Sequence, residues 1–212
     1  MITIKRFVFN PFQVNTYLLY DDTNECVIID PGCYDEYEEE QLKDFISEKE
    51  LKPVRLLNTH SHVDHILGNN FITATYGLKP VIHAAGLAFH KAAPQHGEAF
   101  GISIPQQQNP ERYIAEGEKI HFGKSILEVL DAPGHVDGHV CFMNRDQKFL
   151  IVGDVIFQMS VGRTDLPTGN MDLLLNNIRE KILTLPDDYI LYPGHGPETT
   201  VGFERKNNPF LG

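Results

Sequence analysis

The sequence predicts an α/β protein, because short apolar runs typical of strands alternate with stretches that have helical periodicity. Residues 2–8, 16–20 and 26–29 are predicted to form three short strands. Residues 34–50 are acidic with apolar side chains on one face, which predicts an amphipathic surface helix. Later apolar runs end in a glycine followed by His or Asp. Ligands of α/β sheets bind beyond the carboxyl ends of strands, so this repetition indicates a site at one sheet edge.

A dense group of chemically active side chains occupies residues 58–65, which read Asn-Thr-His-Ser-His-Val-Asp-His. The group directly follows residues 53–57, a leucine-rich run that predicts a buried strand. Burying imidazoles and a carboxylate at this density is costly unless a partner satisfies them. Neutral imidazole nitrogen and carboxylate oxygen are ligands for zinc, iron or manganese. We therefore predict a metal site at this position.

The spacing within this group predicts how its side chains are presented. Alternate residues of an extended segment point the same way, so we expect His60, His62 and Asp64 to face one space. His65 opens an apolar-periodic stretch that closes at Gly77, which predicts a helix. The start of such a helix would direct its positive dipole end at the same space and favour an anion there.

Three later strand ends carry the same type of residue. The predicted strand at residues 125–130 is followed by His135, the one at 148–152 by Asp154, and the one at 189–192 by His195. A glycine precedes each candidate ligand and allows the backbone to turn sharply there. Together with the four candidates in residues 60–65, these three make seven candidate ligands, which are too many for one tetrahedral ion. Seven ligands suit two ions that share a bridging carboxylate. The expected sets are His60, His62 and His135 for the first ion, Asp64, His65 and His195 for the second, and Asp154 as the bridge.

Composition limits the possible classes of protein. The chain has 212 residues, of which 42% are hydrophobic, so we expect a single globular domain over residues 1–212. No apolar run approaches the roughly eighteen residues of a membrane span, and the N-terminus has no apolar signal core. The three cysteines form no CxxC pair, which suits a reducing compartment, so we expect a cytoplasmic protein without a membrane partner. A formal net charge of -11 argues against binding nucleic acid.

Two further features each have two interpretations. Asp30 ends a predicted strand, where it either caps a turn or supports part of the metal site. Residues 94–118 are predicted to be irregular and form either a flap over the site or a plain surface loop. Among the other histidines, His139 follows His135 closely, and we expect a structural or supporting role for it. The remaining ones follow no strand-end glycine and are not expected to bind metal: His83, His90, His96 and His121.

Taken together, the motifs resemble those of the metallo-β-lactamase superfamily. The resemblance rests on His-Ser-His-Val-Asp-His at 60–65, Pro-Gly-His at 133–135, Gly-Asp at 153–154 and Pro-Gly-His-Gly at 193–196. Other segments are similar to its glyoxalase II-like branch, the hydroxyacylglutathione hydrolases, namely 15–17, 30–32, 134–139 and 161–165. The ending, with 194–200, Glu204 and 208–210, resembles the short, single-domain members of that branch.

This resemblance implies an αββα sandwich with the site at one edge. It also implies two divalent metal ions, zinc or alternatively iron or manganese, and hydrolysis of thioesters such as S-lactoylglutathione to a thiol and a hydroxy acid. The chain departs from full-length glyoxalase II enzymes, which carry a helical C-terminal domain that contacts glutathione; we expect no such domain here. Gly196-Pro197 also follows His195 where those enzymes typically have Glu-Tyr. Val136-Asp137 replaces their usual Thr/Ser-Pro or Thr-Ser pair. These departures concern glutathione recognition and not the metal ligands.

The mechanism that follows from this resemblance uses a hydroxide bridging the two ions, with Asp64 as the catalytic residue beside it. Binding to zinc lowers the pKa of water to about 7, and positive charge stabilises the tetrahedral oxyanion. Thioesters need little help with the leaving group because thiolates leave readily. Arg163 and Arg205 are either ligands for a substrate carboxylate or ordinary surface arginines. The expected partner is a small-molecule thioester or ester, and the expected state a monomer or small homo-oligomer.

Other activities are compatible with the same residues. Persulfide dioxygenases resemble this scaffold and use a single iron, so the motifs separate them poorly from thioester hydrolases. A metal-dependent hydrolase of other esters or lactones is a further alternative. Nuclease members of the superfamily are disfavoured by the acidic charge balance. The number of metal ions bound per chain distinguishes the dioxygenase from the hydrolases.

Overall fold

The computed structural model describes residues 1–211 and contains two six-stranded sheets that pack face to face. The first sheet comprises β1 (Thr3–Phe9), β2 (Val14–Tyr20), β3 (Glu25–Ile29), β4 (Lys52–Leu57), β5 (Pro80–His83) and β6 (Arg112–Ile114). The remaining strands are β7 (Lys119–Phe122), β8 (Ser125–Asp131), β9 (Val140–Asn144), β10 (Phe149–Gly153), β11 (Ile156–Phe157), β12 (Ser160–Val161), β13 (Ile190–Pro193) and β14 (Thr199–Thr200). The first sheet has the strand order β1-β2-β3-β4-β5-β6 and the second β14-β13-β10-β9-β8-β7, while β11 and β12 form a separate hairpin.

The described residues 1–211 contain seven α-helices, of which the last follows the final strand. They are α1 (Glu36–Glu48), α2 (Val63–Ile66), α3 (Asn69–Tyr76), α4 (Leu87–Lys91), α5 (Ala93–Ala99), α6 (Met171–Asn177) and α7 (Val201–Asn207). A 3-10 turn, Ala84–Gly86, precedes α4, and a π-helical turn, Ile178–Ile182, continues α6. In this part of the chain no helix combines the length and apolar character needed to cross a bilayer.

Apolar side chains form layers on both faces of the two sheets. Between the sheets, Leu19 of β2 belongs to the same buried cluster as Phe142 of β9. On the outer face of the first sheet, Leu18 packs in a cluster with Leu42 of α1, because successive strand residues point to opposite faces. Leu174 of α6 covers the outer face of the second sheet in the same way. The architecture is an αββα sandwich, which confirms the predicted fold class.

Strand direction brings several carboxyl ends to one edge of the sandwich. In the first sheet, β3, β4, β5 and β6 are parallel neighbours. In the second, β8 and β10 are both antiparallel to β9 and therefore share a direction, and β13 is parallel to β10. Backbone hydrogen bonds join the sheets at this edge, from Asn15 N to Gly194 O at 2.6 Å and from Val140 N to Thr59 O at 2.8 Å.

The predicted single helix from His65 to Gly77 is wrong in its start and its continuity. The chain forms α2, with His62 at its N-cap, and then α3, which ends at Gly77 in the left-handed conformation with φ 73°. The break lies at Gly68, whose backbone N–H donates to Pro31 O at 2.8 Å. A Cβ at Gly68 would lie 2.3 Å from Cys33 Sγ, so this close approach requires glycine.

Two consequences follow for the metal-site prediction. Asp64 lies on a helical turn, so the expected extended alternation of side chains from residue 60 to residue 64 is wrong. The four residues of α2 also form too short a helix to provide the expected dipole effect on an anion.

Other local expectations also need correction. Residues 94–118 are not irregular throughout, because they include most of α5 and the whole of β6. In α1 the residues Leu42 and Ile46 are buried as expected, but Tyr37 is 71% exposed instead of lying on the buried face.

Candidate metal centre

The structure brings all seven predicted ligands together at the edge where the strands end. They come from the loop after β4, from α2, and from the turns that follow β8, β10 and β13. Glycines make this convergence possible at two turns. Gly153 has φ 48°, and a Cβ there would lie 2.6 Å from Thr59 Oγ1. A Cβ at Gly194 would lie 2.1 Å from Asp154 Oδ1, so a side chain at either position would displace the cluster.

One donor group consists of His60, His62 and His135, whose ligand atoms all lie within 4.8 Å of one another. His135 Nδ1 donates to the backbone carbonyl of Arg163 at 2.7 Å, which leaves Nε2 as the acceptor nitrogen of the neutral ring. That Nε2 lies 2.9 Å from His62 Nδ1. His60 Nδ1 is in turn 3.0 Å from Thr59 Oγ1, which leaves its Nε2 directed at the centre without a partner.

A second donor group consists of Asp64, His65 and His195. His195 Nδ1 donates to the carbonyl of Phe12 at 3.0 Å, and its Nε2 lies 3.2 Å from Asp64 Oδ2. His65 is fully buried, and its Nε2 lies 3.6 Å from the same carboxylate oxygen. In this second group, contacts at Nδ1 with Asp30 and with the carbonyl of Phe12 orient His65 and His195 and leave each Nε2 directed at the centre.

Asp154 lies between the two groups. Its Oδ1 is 3.4 Å from His65 Nε2, and its Oδ2 is 3.6 Å from both His135 Nε2 and His195 Nε2. One carboxylate therefore faces a member of the first group and both imidazoles of the second. This position is compatible with a ligand shared by two cations.

Two side chains outside the donor groups hold members of the centre in place. Asp30 accepts hydrogen bonds from Thr59 N at 2.7 Å and Thr59 Oγ1 at 2.6 Å, and its Oδ2 lies 3.0 Å from His65 Nδ1. Of the two interpretations of Asp30, these contacts favour support of the site. His139 Nε2 accepts the backbone N–H of Asp154 at 3.0 Å, and its ring stacks on His60 with centroids 4.8 Å apart.

The donor atoms fit a divalent metal ion. His60 Nε2, His65 Nε2 and Asp154 Oδ1 are buried and have no hydrogen-bond partner. Buried polar atoms are rarely left unpaired, so atoms that face a common centre in this way indicate an ionic ligand. Ligands at about 2.0–2.1 Å from a tetrahedral zinc are separated by roughly 3.3 Å. The separations between facing donor atoms, 2.9 to 3.6 Å, lie on either side of that value.

Protonation differs between the two groups. Burial, together with the neighbouring imidazoles, holds the pKa of His60 well below its usual value, and burial beside His135 lowers the pKa of His62 to about 3. These rings are neutral and keep their lone pairs. Burial opposes charge on His65, but Asp154, Asp64 and Asp30 raise its pKa well above the usual value. A proton on His65 thus offsets the surrounding carboxylates, and a bound cation would displace that proton.

A cavity of about 560 Å³ opens beside the donor groups. Its walls are mostly apolar and include Phe12, Phe89, Phe100 and Phe157. Phe89 lies with its ring centroid 5.7 Å from that of His62, and Phe157 lies 6.1 Å from His195. Sequence reasoning did not find this wall, because its members come from four separated segments. Only Phe100, within residues 94–118, was part of a predicted functional segment.

The two candidate arginines have different surroundings. Arg163 lines the cavity, but its guanidinium donates to both carboxylate oxygens of Asp165 at 2.7 and 2.6 Å. Arg205 lies outside the cavity lining and pairs with Asp187, and it also donates to the carbonyls of Leu183 and Leu185. It therefore connects α7 to residues 183–187, and these contacts favour the interpretation of Arg205 as an ordinary surface arginine.

The four histidines expected not to bind metal lie outside both donor groups. His83 lies 3.6 Å from Asp131, His90 contacts the carbonyl of Gln108 at 2.7 Å, and His121 is exposed on β7. His96 lines the cavity beside Phe89, at a ring centroid distance of 5.3 Å. It is therefore a wall residue that sequence reasoning did not single out.

Comparisons with known proteins agree with this architecture. The chain is 36% identical over 208 residues to the probable metallo-hydrolase YqgX of Bacillus subtilis, covering 98% of this chain and 96% of the relative. It is 36% identical over 206 residues to the hydroxyacylglutathione hydrolase GloC of Haemophilus influenzae, covering 94% of this chain and 93% of the relative. The solved structure of TTHA1623 in a di-iron-bound form superposes with a TM-score of 0.88 at 35% identity, covering 98% of this chain and 100% of that chain. The sequence pattern of the metallo-beta-lactamase superfamily matches residues 9–195, and the chain belongs to this superfamily of metal-binding proteins.

Proposed function

We propose that this protein is a metal-dependent hydrolase of thioesters that uses two divalent ions, similar in type to the hydroxyacylglutathione hydrolases. The observation that carries the proposal is the pair of three-residue donor groups with Asp154 between them. Hydrolases with two metals hold their ions with two such donor sets and a carboxylate between them, which is how these side chains are arranged. The relationship to GloC, a hydroxyacylglutathione hydrolase, supports the thioester class.

We assign His60, His62 and His135 to one ion, Asp64, His65 and His195 to the other, and Asp154 to both. When bound, such ions supply Lewis acidity, which polarises a carbonyl and activates water at neutral pH. Zinc suits the nitrogen-rich first group, and the di-iron form of the relative TTHA1623 makes iron the principal alternative.

The protein side chains supply orientation and proton handling. Asp64 borders the cavity, and we assign to its carboxylate the role of accepting a hydrogen bond from the nucleophilic water. Its Oδ2 is held 3.2 Å from His195 Nε2, so the carboxylate keeps a fixed orientation. The apolar walls of the cavity exclude bulk water and strengthen electrostatic interactions with the substrate carbonyl. No separate general acid is needed because a thiolate leaves readily.

The proposal is tested by elemental analysis of the purified protein together with a thioester hydrolysis assay. We expect about two metal ions per chain and turnover of acyl thioesters, including S-lactoylglutathione with a high KM. Treatment with a chelator should abolish turnover, and adding zinc or ferrous iron back should restore it. Adding magnesium serves as a matched control, because it prefers oxygen ligands and should not restore activity.

Two results would contradict the proposal. A metal-replete preparation with one iron per chain and no thioester turnover would favour the dioxygenase, which consumes oxygen with a persulfide substrate. A preparation with two ions that cleaves lactones or β-lactams but no thioester would retain the metal centre and overturn the substrate class.

A further inference from the structure

We propose that the preferred substrates are thioesters of apolar acyl groups on an uncharged thiol, and that the phenylalanine wall of the cavity selects them. This inference rests on the proposed thioester hydrolysis and specifies its substrate class. It concerns four side chains that neither the donor groups nor their supporting residues require: Phe12, Phe89, Phe100 and Phe157.

The apolar surface begins directly beside the donor atoms and continues to the mouth of the cavity. Phe89 lies against His62 on one side, and Phe157 lies against His195 on the other. The rings of Phe12 and Phe100, which also line the cavity, meet edge to face with centroids 5.7 Å apart. A group attached to a carbonyl held at the donor atoms would therefore contact aromatic carbon.

Additional apolar residues extend this wall. Val161, Leu166 and Pro167 also line the cavity. The volume of about 560 Å³ lies within the roughly 300–1,000 Å³ typical of small-molecule sites. Such a space can enclose an acyl chain of several methylenes, each of which contributes about 0.8 kcal/mol when it leaves water, equivalent to about fourfold in affinity.

The charges at the cavity do not complement glutathione, which carries carboxylates at both ends. Among the residues that the structure describes around this cavity, Arg163 is the single lysine or arginine. Its guanidinium already binds Asp165 through two hydrogen bonds, so the pair presents little net positive charge. The formal net charge of -11 on the whole chain also disfavours the approach of anionic thioesters.

The substrate class is tested with straight-chain acyl thioesters of N-acetylcysteamine, from acetyl to octanoyl, on the metal-replete enzyme. We expect kcat/KM to rise by about fourfold for each methylene until the cavity is filled. S-lactoylglutathione should have a lower kcat/KM than the hexanoyl thioester. As a second readout, a non-hydrolysable hexyl thioether of N-acetylcysteamine should bind in calorimetry with a negative heat-capacity change, and this measurement does not depend on turnover.

Wall variants identify the side chains responsible. Phe100→Ala and Phe157→Ala should each lower kcat/KM for the hexanoyl thioester about tenfold and leave that for the acetyl thioester nearly unchanged. Phe100 is half exposed, so its truncation should not disturb folding. Tyr37→Ala, which removes an exposed aromatic ring on α1, is the matched control and should preserve the full chain-length dependence.

The outcomes separate this inference from the function on which it rests. Thioester turnover that is independent of acyl length, or highest for S-lactoylglutathione, would overturn the apolar substrate class and leave thioester hydrolysis intact. Absence of turnover with every thioester, despite two bound ions, would refute the proposed function. In that case, failure of the thioether to bind would also refute the apolar acyl site.

Discussion

The backbone N–H of Asp154 donates a hydrogen bond of 3.0 Å to Nε2 of His139. This bond requires the neutral ring with its proton on Nδ1, which agrees with the strongly lowered pKa that burial imposes on His139. The same ring stacks against His60. His139 thereby links the backbone of Asp154, the residue between the donor groups, to the ring of His60 in the first group, which gives it a supporting position outside the ligand sets.

Asp154→Asn tests whether this carboxylate is shared between two cations. The substitution preserves the shape of the side chain but removes the negative charge between the ions, so their mutual repulsion is less compensated. We expect loss of at least one ion per chain and a fall in kcat of more than about 100-fold, with the fold retained. Elemental analysis, thioester turnover and circular dichroism provide the measurements. Two retained ions with near-normal turnover would show that the shared assignment is wrong.

His139→Ala tests support from outside the ligand set. The truncation leaves the buried N–H of Asp154 unpaired and removes the ring beside His60, so both neighbours become less well oriented. We expect two ions to remain in the metal-replete enzyme, with metal affinity or kcat lowered by about 10–100-fold. His121→Ala, at an exposed histidine on β7, is the control and should behave like the parent protein. Loss of an ion at saturating metal would instead make His139 a ligand.

Asp30→Asn tests the orientation of His65. The amide can still occupy the same space, but it loses the charge that faces His65 Nδ1 at 3.0 Å. We expect metal affinity to fall by about 10–100-fold, measured by competition with a chelator. Asp44→Asn, on the exposed face of α1, is the comparison and should leave affinity unchanged. Equal affinities for the two variants would mean that Asp30 has only a turn-capping role.

Asp21 predicts a specific acid dependence of stability. Burial disfavours its charge, but hydrogen bonds from Thr23, Ser125 and the backbone of Lys124 outweigh this and lower its pKa to about 2. Because the folded pKa lies below the unfolded value of about 3.9, the contribution to stability is complete above pH 4 and is lost as the pH falls toward 2.

We estimate this contribution at about 1 kcal/mol, less than the full linkage value because solvent near the turn screens the charge. Asp21→Asn should therefore lower the free energy of unfolding at pH 7 and flatten its decline between about pH 4 and 2. Urea unfolding of metal-free protein measures both effects. Asp22→Asn, at the exposed neighbouring residue, is the control and should change neither the free energy of unfolding at pH 7 nor its decline in acid. If Asp21→Asn has the same pH profile as the parent protein, Asp21 does not cause this acid dependence.

Glu204 couples α7 to the hairpin that borders the cavity. This fully buried carboxylate accepts hydrogen bonds from Thr199 Oγ1 at 2.5 Å, Met159 N at 3.0 Å and Asn208 Nδ2 at 2.8 Å. Glu204→Ala leaves three donors unpaired and should cost about 3 kcal/mol, or roughly 6–12 °C in Tm. Differential scanning calorimetry measures the shift. Glu180→Ala, at an exposed glutamate, is the control, and equal Tm values for both variants would contradict this role.

Much of the fold could be predicted because the relevant signals are local. Apolar runs indicated β2 and β4, and apolar runs followed by a glycine indicated β8, β10 and β13. The break at Gly68 could not be foreseen, since it depends on contact with Pro31 and Cys33 in another segment. The exposure of Tyr37 was missed for a related reason: helical periodicity indicates a face, but the neighbouring sheet decides how wide that face is.

The sequence by itself determined the set of candidate metal ligands, because the dense group at residues 58–65 and the His or Asp after a glycine at three strand ends are read directly from the chain. Only the tertiary structure decided which atoms face one another. The contact of Asp30 with His65, the hydrogen bond from Asp154 to His139 and the pairing of Arg163 with Asp165 are set by packing and side-chain rotamers. The aromatic wall likewise exists only after the sheets pack, because burial of apolar surface joins segments that no local pattern relates.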